Sequence, residues 1–125
     1  MPHATEHCPF CRPDAMLLQN GLAYVLEDRF PVNPGHLLLI PHRHVADFFQ
    51  LDAAEQTALL ELLQQGKAYL DRQYQPAGYN IGVNVGEVAG QTIGHVHVHL
   101  IPRYHGDTPN PRGGVRGVIP ARQAY

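Results

Sequence analysis

The sequence of 125 residues predicts an α+β fold, an antiparallel sheet with one long helix and short helices. Three features point there: one long stretch with apolar residues at helical spacing, two stretches of period-two alternation after it, and short apolar runs bounded by turn formers before it. Strands on either side of a single dominant helix belong to this class, with sequence neighbours paired antiparallel.

Taken in order, Pro13 to Leu18 is expected to form a short helical turn, and Asn20-Gly21 is a turn signal leading into a first strand, Leu22 to Asp28. Pro31 to Gly35 is a loop rich in turn formers. His36 to Ile40 is a continuous apolar run, short enough for a strand buried on both faces, and Pro41 ends it. Asp52, followed three residues later by Glu55, is a capping-box pattern with Asp as the cap, so the long helix starts there. Leu59, Leu62, Leu63, Leu70 and Tyr74 recur at helical spacing, and the helix ends before Pro76. Tyr79 to Val85 and His95 to Ile101 alternate with period two and are expected to pair antiparallel. The segment 105–125 is rich in Pro and Gly, shows no period and reads as an irregular tail.

This length fits one domain, residues 1–125, with a single core. The formal charge of −2 comes from nearly balanced acids and bases, so no broad basic surface exists to neutralise the phosphates of a nucleic-acid polymer. No apolar run approaches the ~20 residues that cross a bilayer. The opening MPHATEHCPFC lacks the charged and apolar regions of a secretion signal, which favours a cytoplasmic protein. The two cysteines, Cys8 and Cys11, form a C-x-x-C pair, which inside a cell signals metal or redox chemistry before a structural disulfide.

The most informative segment is His95-Val96-His97-Val98-His99-Leu100-Ile101. On a strand, alternation sends the three imidazoles to one face and Val96, Val98 and Leu100 to the other. Three imidazoles buried for packing alone would be costly, because each ring nitrogen needs a partner. Residues four apart, such as His95 and His99, are separated by roughly 13 Å at ~3.3 Å per residue, too far to share one metal ion easily. The three rings therefore divide their roles. Upstream, Asn84 to Thr92 offers the amides of Asn84 and Gln91, the Thr92 hydroxyl and close-approach glycines, a composition that can hold phosphate oxygens. Arg103 adds a nearby cation.

The segment AGQTIGHVHVHLIPR, residues 89–103, closely resembles the signature of the histidine triad (HIT) family. LEDRFPVNPGHLLLIPHRH, residues 26–44, resembles the family's strand, loop and strand, and CPFC resembles its zinc-binding N-terminal segment. The resemblance implies a HIT-like fold in a homodimer. It also implies a nucleotide hydrolase or nucleotidyl transferase, cleaving at the α-phosphate of a nucleoside polyphosphate or phosphoramidate. His97 would be the nucleophile, forming a covalent nucleotidyl-imidazole that water cleaves to release a nucleoside monophosphate. A neutral imidazole suits that task, since the residue type titrates near ~6.5.

By the same resemblance His95 lends its carbonyl to His97, and His99 contacts the phosphate and assists leaving-group departure by acid catalysis. Gln91 and Thr92 match positions near the phosphates or the scissile bridge, Asn84 matches a nucleotide-binding position, and Asp28 matches the carboxylate that accepts from the ribose hydroxyls. Phe10 and Leu26 match the base pocket, although core packing explains them equally well. The wording of residues 89–92 and 100–103 is similar to the dinucleoside polyphosphate hydrolase branch, whereas Asn84 is similar to the phosphoramidase branch. In the tail, Arg112 and Arg116 are candidates for distal phosphates or for a packing arm.

Cys8 and Cys11 need two imidazoles to complete a tetrahedral Cys2His2 zinc site, and the resemblance supplies His44 and His95. Such a closed site is structural. A redox pair should follow a strand and open a helix, for which the short segment before Cys8 leaves no room. His3, His7, His36, His42 and His105 read as surface or loop histidines, with His7 and His42 near enough to be alternative ligands. Two other classes stay in view: a nucleotide-binding module with little turnover, and an open-site metal-dependent hydrolase.

Overall fold

The computed structural model describes residues 7–125, so His3 lies outside the described residues. Among the described residues, five strands form one sheet: β1 (Leu18–Gln19), β2 (Ala23–Glu27), β3 (Leu37–Pro41), β4 (Gly78–Val83) and β5 (Val98–Arg103). Their order is β1-β2-β3-β5-β4, with every neighbouring pair antiparallel. The long helix α1 spans Ala53–Gln73, and short 3-10 turns cover Phe48–Gln50, Glu87–Ala89, Gly114–Val118 and Pro120–Arg122. Among the described residues, no helix is long and apolar enough to cross a membrane.

Alternation divides the sheet into two faces with different tasks. Ala23 and Val25, Leu37 and Leu39, and Val96, Val98 and Leu100 pack against Ala58, Leu59, Leu62 and Leu70 of α1. The opposite face presents Tyr24, Leu38 and Ile40, covered by the N-terminal Cys8 and Phe10. The continuous apolar run of β3 is buried on both faces, as its composition requires.

Asp52 caps α1 with a complete capping box: its carboxylate accepts from the Glu55 N–H at 2.8 Å, and the Glu55 carboxylate accepts from the Asp52 N–H at 3.0 Å. Glu55 also takes two bonds from Arg43, at 2.8 and 2.9 Å, tying the helix start to the chain after β3. Gly66 lets α1 approach the sheet, because a Cβ there would already touch Leu37 and Leu100 at 3.4 Å. Gly35, at φ +91°, turns the chain into β3 where a Cβ would come within 2.9 Å of Leu70.

Two sequence expectations are corrected here. Pro13 to Leu18 forms no helical turn; Leu18–Gln19 instead pairs with β2, led in by the Leu17 N–H to Val25 carbonyl bond at 2.8 Å. The second alternating segment joins the ladder only at Val98 and continues to Arg103, so His95 and His97 precede the paired strand. β3 ends at Pro41, as expected; Pro41 pairs with Ala23 of β2 but lies beyond Leu39, the last residue of β3 paired with β5. Pro41 and Pro102 are both tolerated because the ladder between β3 and β5 covers only Leu37–Leu39 against Val98–Leu100. The tail is irregular, as expected, but ordered into two 3-10 turns.

Asp52→Ala removes one half of the capping box. Urea unfolding is expected to show a loss of about 1 kcal/mol with an unchanged m-value.

Candidate active site

Above the face opposite α1 lies a cavity of about 770 Å³, lined by Phe10, Leu26, Asp28, Thr92, His97 and His99 among others. The family resemblance matched all six to site positions, with core packing an equal account of Phe10 and Leu26, and the fold gathers them around this one cavity. Phe10 and Leu26 form part of an apolar wall. Asp28 stands at the end of β2, where its N–H donates to the His36 carbonyl at 3.0 Å. Its Oδ1 accepts from the Phe30 N–H at 2.9 Å, leaving Oδ2 facing the histidines.

Hydrogen bonds assign the protons of the rings. The Nδ1 of His97 lies 2.9 Å from the His95 carbonyl, which can only accept, so Nδ1 carries the hydrogen and Nε2 keeps a free lone pair. His97 is 8% exposed, enough to be reached from the cavity it lines. A second chain of bonds fixes His99. The Val32 N–H donates to Nδ1 of His36 at 3.0 Å, so in the neutral ring the hydrogen sits on Nε2. That Nε2 is 2.9 Å from Nδ1 of His99, which accepts it, leaving His99 with an Nε2–H. Burial lowers the pKa of His99, aided by His97 and His36 and opposed by Asp28. Burial likewise lowers that of His36, against the pull of Asp28. Both rings are thereby held neutral.

His36 corrects the sequence reading. It is no surface or loop ring but 3% exposed, its ring tilted against His99 with centres 5.2 Å apart and its Nε2 3.4 Å from the Asp28 carboxylate. A signal existed: His36 shares the parity of Leu38, which pairs with His99, so it stands on the histidine face beside the triad. Asp28, His36 and His99 also bring potential metal-ligand atoms within 4.8 Å of one another. The proton on His36 Nε2 argues for a hydrogen-bond relay rather than a metal at that point.

Other expected contacts lie elsewhere. Gln91 does not line the cavity: its Nε2 donates to the Ala46 and Ile93 carbonyls at 2.9 and 3.0 Å, and its Oε1 accepts from the Gly86 N–H at 2.8 Å. It braces the loop that delivers Thr92. Asn84 is also absent from the lining and sits beside Gly90. Arg103 is engaged by both oxygens of Asp107 and by Asn80. Arg112 and Arg116 stack on Tyr125, at 5.4 and 4.4 Å from its ring centre, and line no part of the cavity. His7, His42 and His105 are exposed; His42 lies over Tyr24 and does not join the cysteines.

Next to the cavity, Cys8, Cys11, His44 and His95 bring their ligand atoms together. Cys8 Sγ is 3.4 Å from His95 Nδ1, Cys11 Sγ is 3.1 Å from His44 Nδ1, and the two Nδ1 atoms are 3.2 Å apart. A tetrahedral zinc with ordinary Zn–N and Zn–S bonds needs ligand separations of about 3.3–3.7 Å, so the set fits. The Nε2 of His95 bonds to the Pro41 carbonyl at 2.8 Å, directing Nδ1 to the cluster as an outer partner of a metal ligand does. Both cysteines are free thiols, and burial, then the adjacent Cys8, push the Cys11 thiol up. A cation bound between them would favour the thiolate forms that ligate metal.

The sequence profile of the HIT domain family matches residues 11–106. The chain is similar to the AP-4-A phosphorylase of Mycobacterium tuberculosis, 36% identical over 93 residues that make up 74% of this chain and 48% of that protein. It is also similar to the asymmetrical bis(5'-nucleosyl)-tetraphosphatase of Schizosaccharomyces pombe, 39% identical over 77 residues, 62% of this chain and 42% of that protein. The chain thus spans about half the length of these two relatives, or less. Among solved structures, a zinc-bound histidine triad family protein from Mycobacterium smegmatis superposes with a TM-score of 0.75 at 26% identity, covering 85% of this chain and 81% of that one.

The proton assignments can be read directly. Long-range proton–nitrogen correlation spectra at mildly alkaline pH are expected to show Nδ1–H for His97 and Nε2–H for His36 and His99. An Nδ1–H on His36 would break the relay.

Proposed function

The chain belongs to the HIT domain family, and from that premise we propose that it is a nucleotide hydrolase or nucleotidyl transferase acting through a covalent nucleotidyl-His97. The observation that carries the reading is the His97 ring: Nδ1 is fixed on the His95 carbonyl, so the opposite nitrogen holds its lone pair at the cavity wall. A pocket that only bound a nucleoside would not need it.

The apolar wall with Phe10 and Leu26 takes the base and Asp28 Oδ2 takes the ribose hydroxyls, which brings the α-phosphorus toward His97. Its Nε2 then forms a bond to phosphorus while the bond from phosphorus to the leaving group breaks, and the leaving group departs with the electron pair. Thr92 and the His99 Nε2–H donate to the oxygens on which charge builds, at no cost in reorganisation. Water next attacks phosphorus, the P–N pair returns to His97, and the water proton is lost to solvent as the nucleoside monophosphate leaves.

A neutral His99 offers a hydrogen bond rather than a spare proton. That suits a polyphosphate, which leaves as an anion, better than an amine, which must be protonated to leave. The dinucleoside polyphosphate branch follows, in keeping with the names of the two relatives. Zinc is the metal that the Cys8–Cys11–His44–His95 donors suit, and with four protein ligands it would act as a cross-link rather than polarise substrate.

We also read the assembly as a homodimer. β4 is an edge strand, and beside it an apolar groove of about 340 Å³ is lined by Leu59, Leu60, Leu63, Ile81 and Val83. An edge strand with its own groove is self-complementary about a two-fold axis, so a second copy covers both. Sedimentation is expected to show a dimer whose dissociation constant rises by about 10-fold or more with Ile81→Asp.

The activity test is AMP release from diadenosine tetraphosphate and, separately, adenosine phosphoramidate. Faster release from the tetraphosphate is expected, with a fall of roughly 10³-fold or more in His97→Ala. Nucleotide binding without release from either substrate would point instead to a binding module.

A further inference from the structure

The wall of the cavity and the Cys2His2 set are parts of one segment. Pro9, Phe10, Arg12 and Ala15 line the cavity, while Cys8 and Cys11, within the same stretch, belong to the metal-ligand cluster. Between Cys11 and Leu17 the chain makes no backbone–backbone hydrogen bond to another described residue. Besides the cluster, the Phe10 carbonyl is held by the Tyr24 hydroxyl.

Phe10 itself bridges the two sites. Its ring stands edge-on to His95, a cluster ligand, at 5.9 Å, and tilted against His97, which lines the cavity, at 5.1 Å. It is 7% exposed and packed with Tyr24, Leu38 and Ile40, so its ring cannot swing away without opening the second core. His95 touches the cavity a second way, through the carbonyl that holds His97.

Building on the nucleotide reading above, we infer that the Cys8–Cys11–His44–His95 set is a positioning device for the nucleotide cavity, with Phe10 as the positioning residue that transmits it. Metal held by the set orders the wall against which the base packs, and a base in the cavity pins Phe10 and the two cysteines where the metal needs them. Each ligand therefore binds more tightly in the presence of the other, and by the same factor, because coupling between two binding equilibria is reciprocal.

The test is an equilibrium competition for zinc between the whole protein and a chromogenic chelator, with and without saturating AMP, alongside AMP titrations of the zinc-loaded and zinc-stripped protein. AMP is expected to raise zinc affinity by about 5-fold or more, and zinc to raise AMP affinity by the same factor. Phe10→Ala is expected to bring both factors close to one while zinc still binds. A factor of one in the unmodified protein with AMP demonstrably bound would overturn the coupling and leave the nucleotide reading intact. An undiminished factor in Phe10→Ala would also overturn it, since the linkage would then run through global folding. Failure of the zinc-loaded protein to bind AMP at all would overturn the nucleotide reading, and the coupling with it.

Discussion

Val96, Val98 and Leu100 must face α1, and that requirement places every ring of the triad. The three residues lie in the main core and are almost wholly buried, so the backbone from 95 to 100 cannot rotate or slip without exposing them. Parity then sends His95, His97 and His99 to the opposite face. Two more constraints separate their roles. The β3–β5 ladder stops at Leu39 against Val98, freeing the chain at His97 and His95 to fold its own carbonyl toward a ring. The Pro41 carbonyl, left without a β5 partner, takes the Nε2 of His95 and turns that ring to the cysteines.

The two faces of the sheet divide labour in a way that packing alone explains. The helix face is apolar, with the capped and ion-paired start of α1 anchoring it to the chain after β3. The other face carries polar rings that burial would penalise if they were charged or unpaired. Both conditions are met by hydrogen bonds that run in one direction, from the Val32 N–H through His36 to His99. Desolvation keeps these rings neutral, and neutrality is what makes a directional relay possible, because an imidazolium has two donors and no acceptor. Burial keeps the rings neutral, and the hydrogen bonds then set their tautomers.

Much of this was legible in the sequence because it depends on period and caps. The long helix, its Asp52 and Glu55 box, the doubly buried β3 and the parity of 95–100 follow from local patterns that tertiary contacts only reinforce. The start of the last strand and the existence of the short first one were not legible, since where the ladder begins and breaks depends on partners distant in sequence. His36 was hidden for a similar reason: its role comes from lying diagonally across the strand pair from His99, and its parity with Leu38 becomes a signal only once the β3–β5 register is known. Gln91 shows a second role that the sequence did not mark. An amide beside glycines reads as a ligand for phosphate, yet in the fold both ends of it close the loop on backbone groups. The resemblance pointed to the four-residue Cys/His cluster, and the fold brings its ligand atoms together.

The cluster sits next to the cavity without sharing its chemistry, and charge explains why the two can be neighbours. Two thiolates cancel a dication, so a filled Cys2His2 set would present almost no net charge to His97, one residue beyond Val96. A set with three neutral ligands would leave a cation there, which would hold an anionic phosphate away from the attacking nitrogen or compete for its lone pair. With zinc in the set, the cysteines would do more than ligate it: by neutralising it they would leave the orientation of a phosphate to the fixed N–H and O–H groups of the cavity. Mechanical closeness and electrostatic silence are compatible, and the Cys2His2 composition is what allows both.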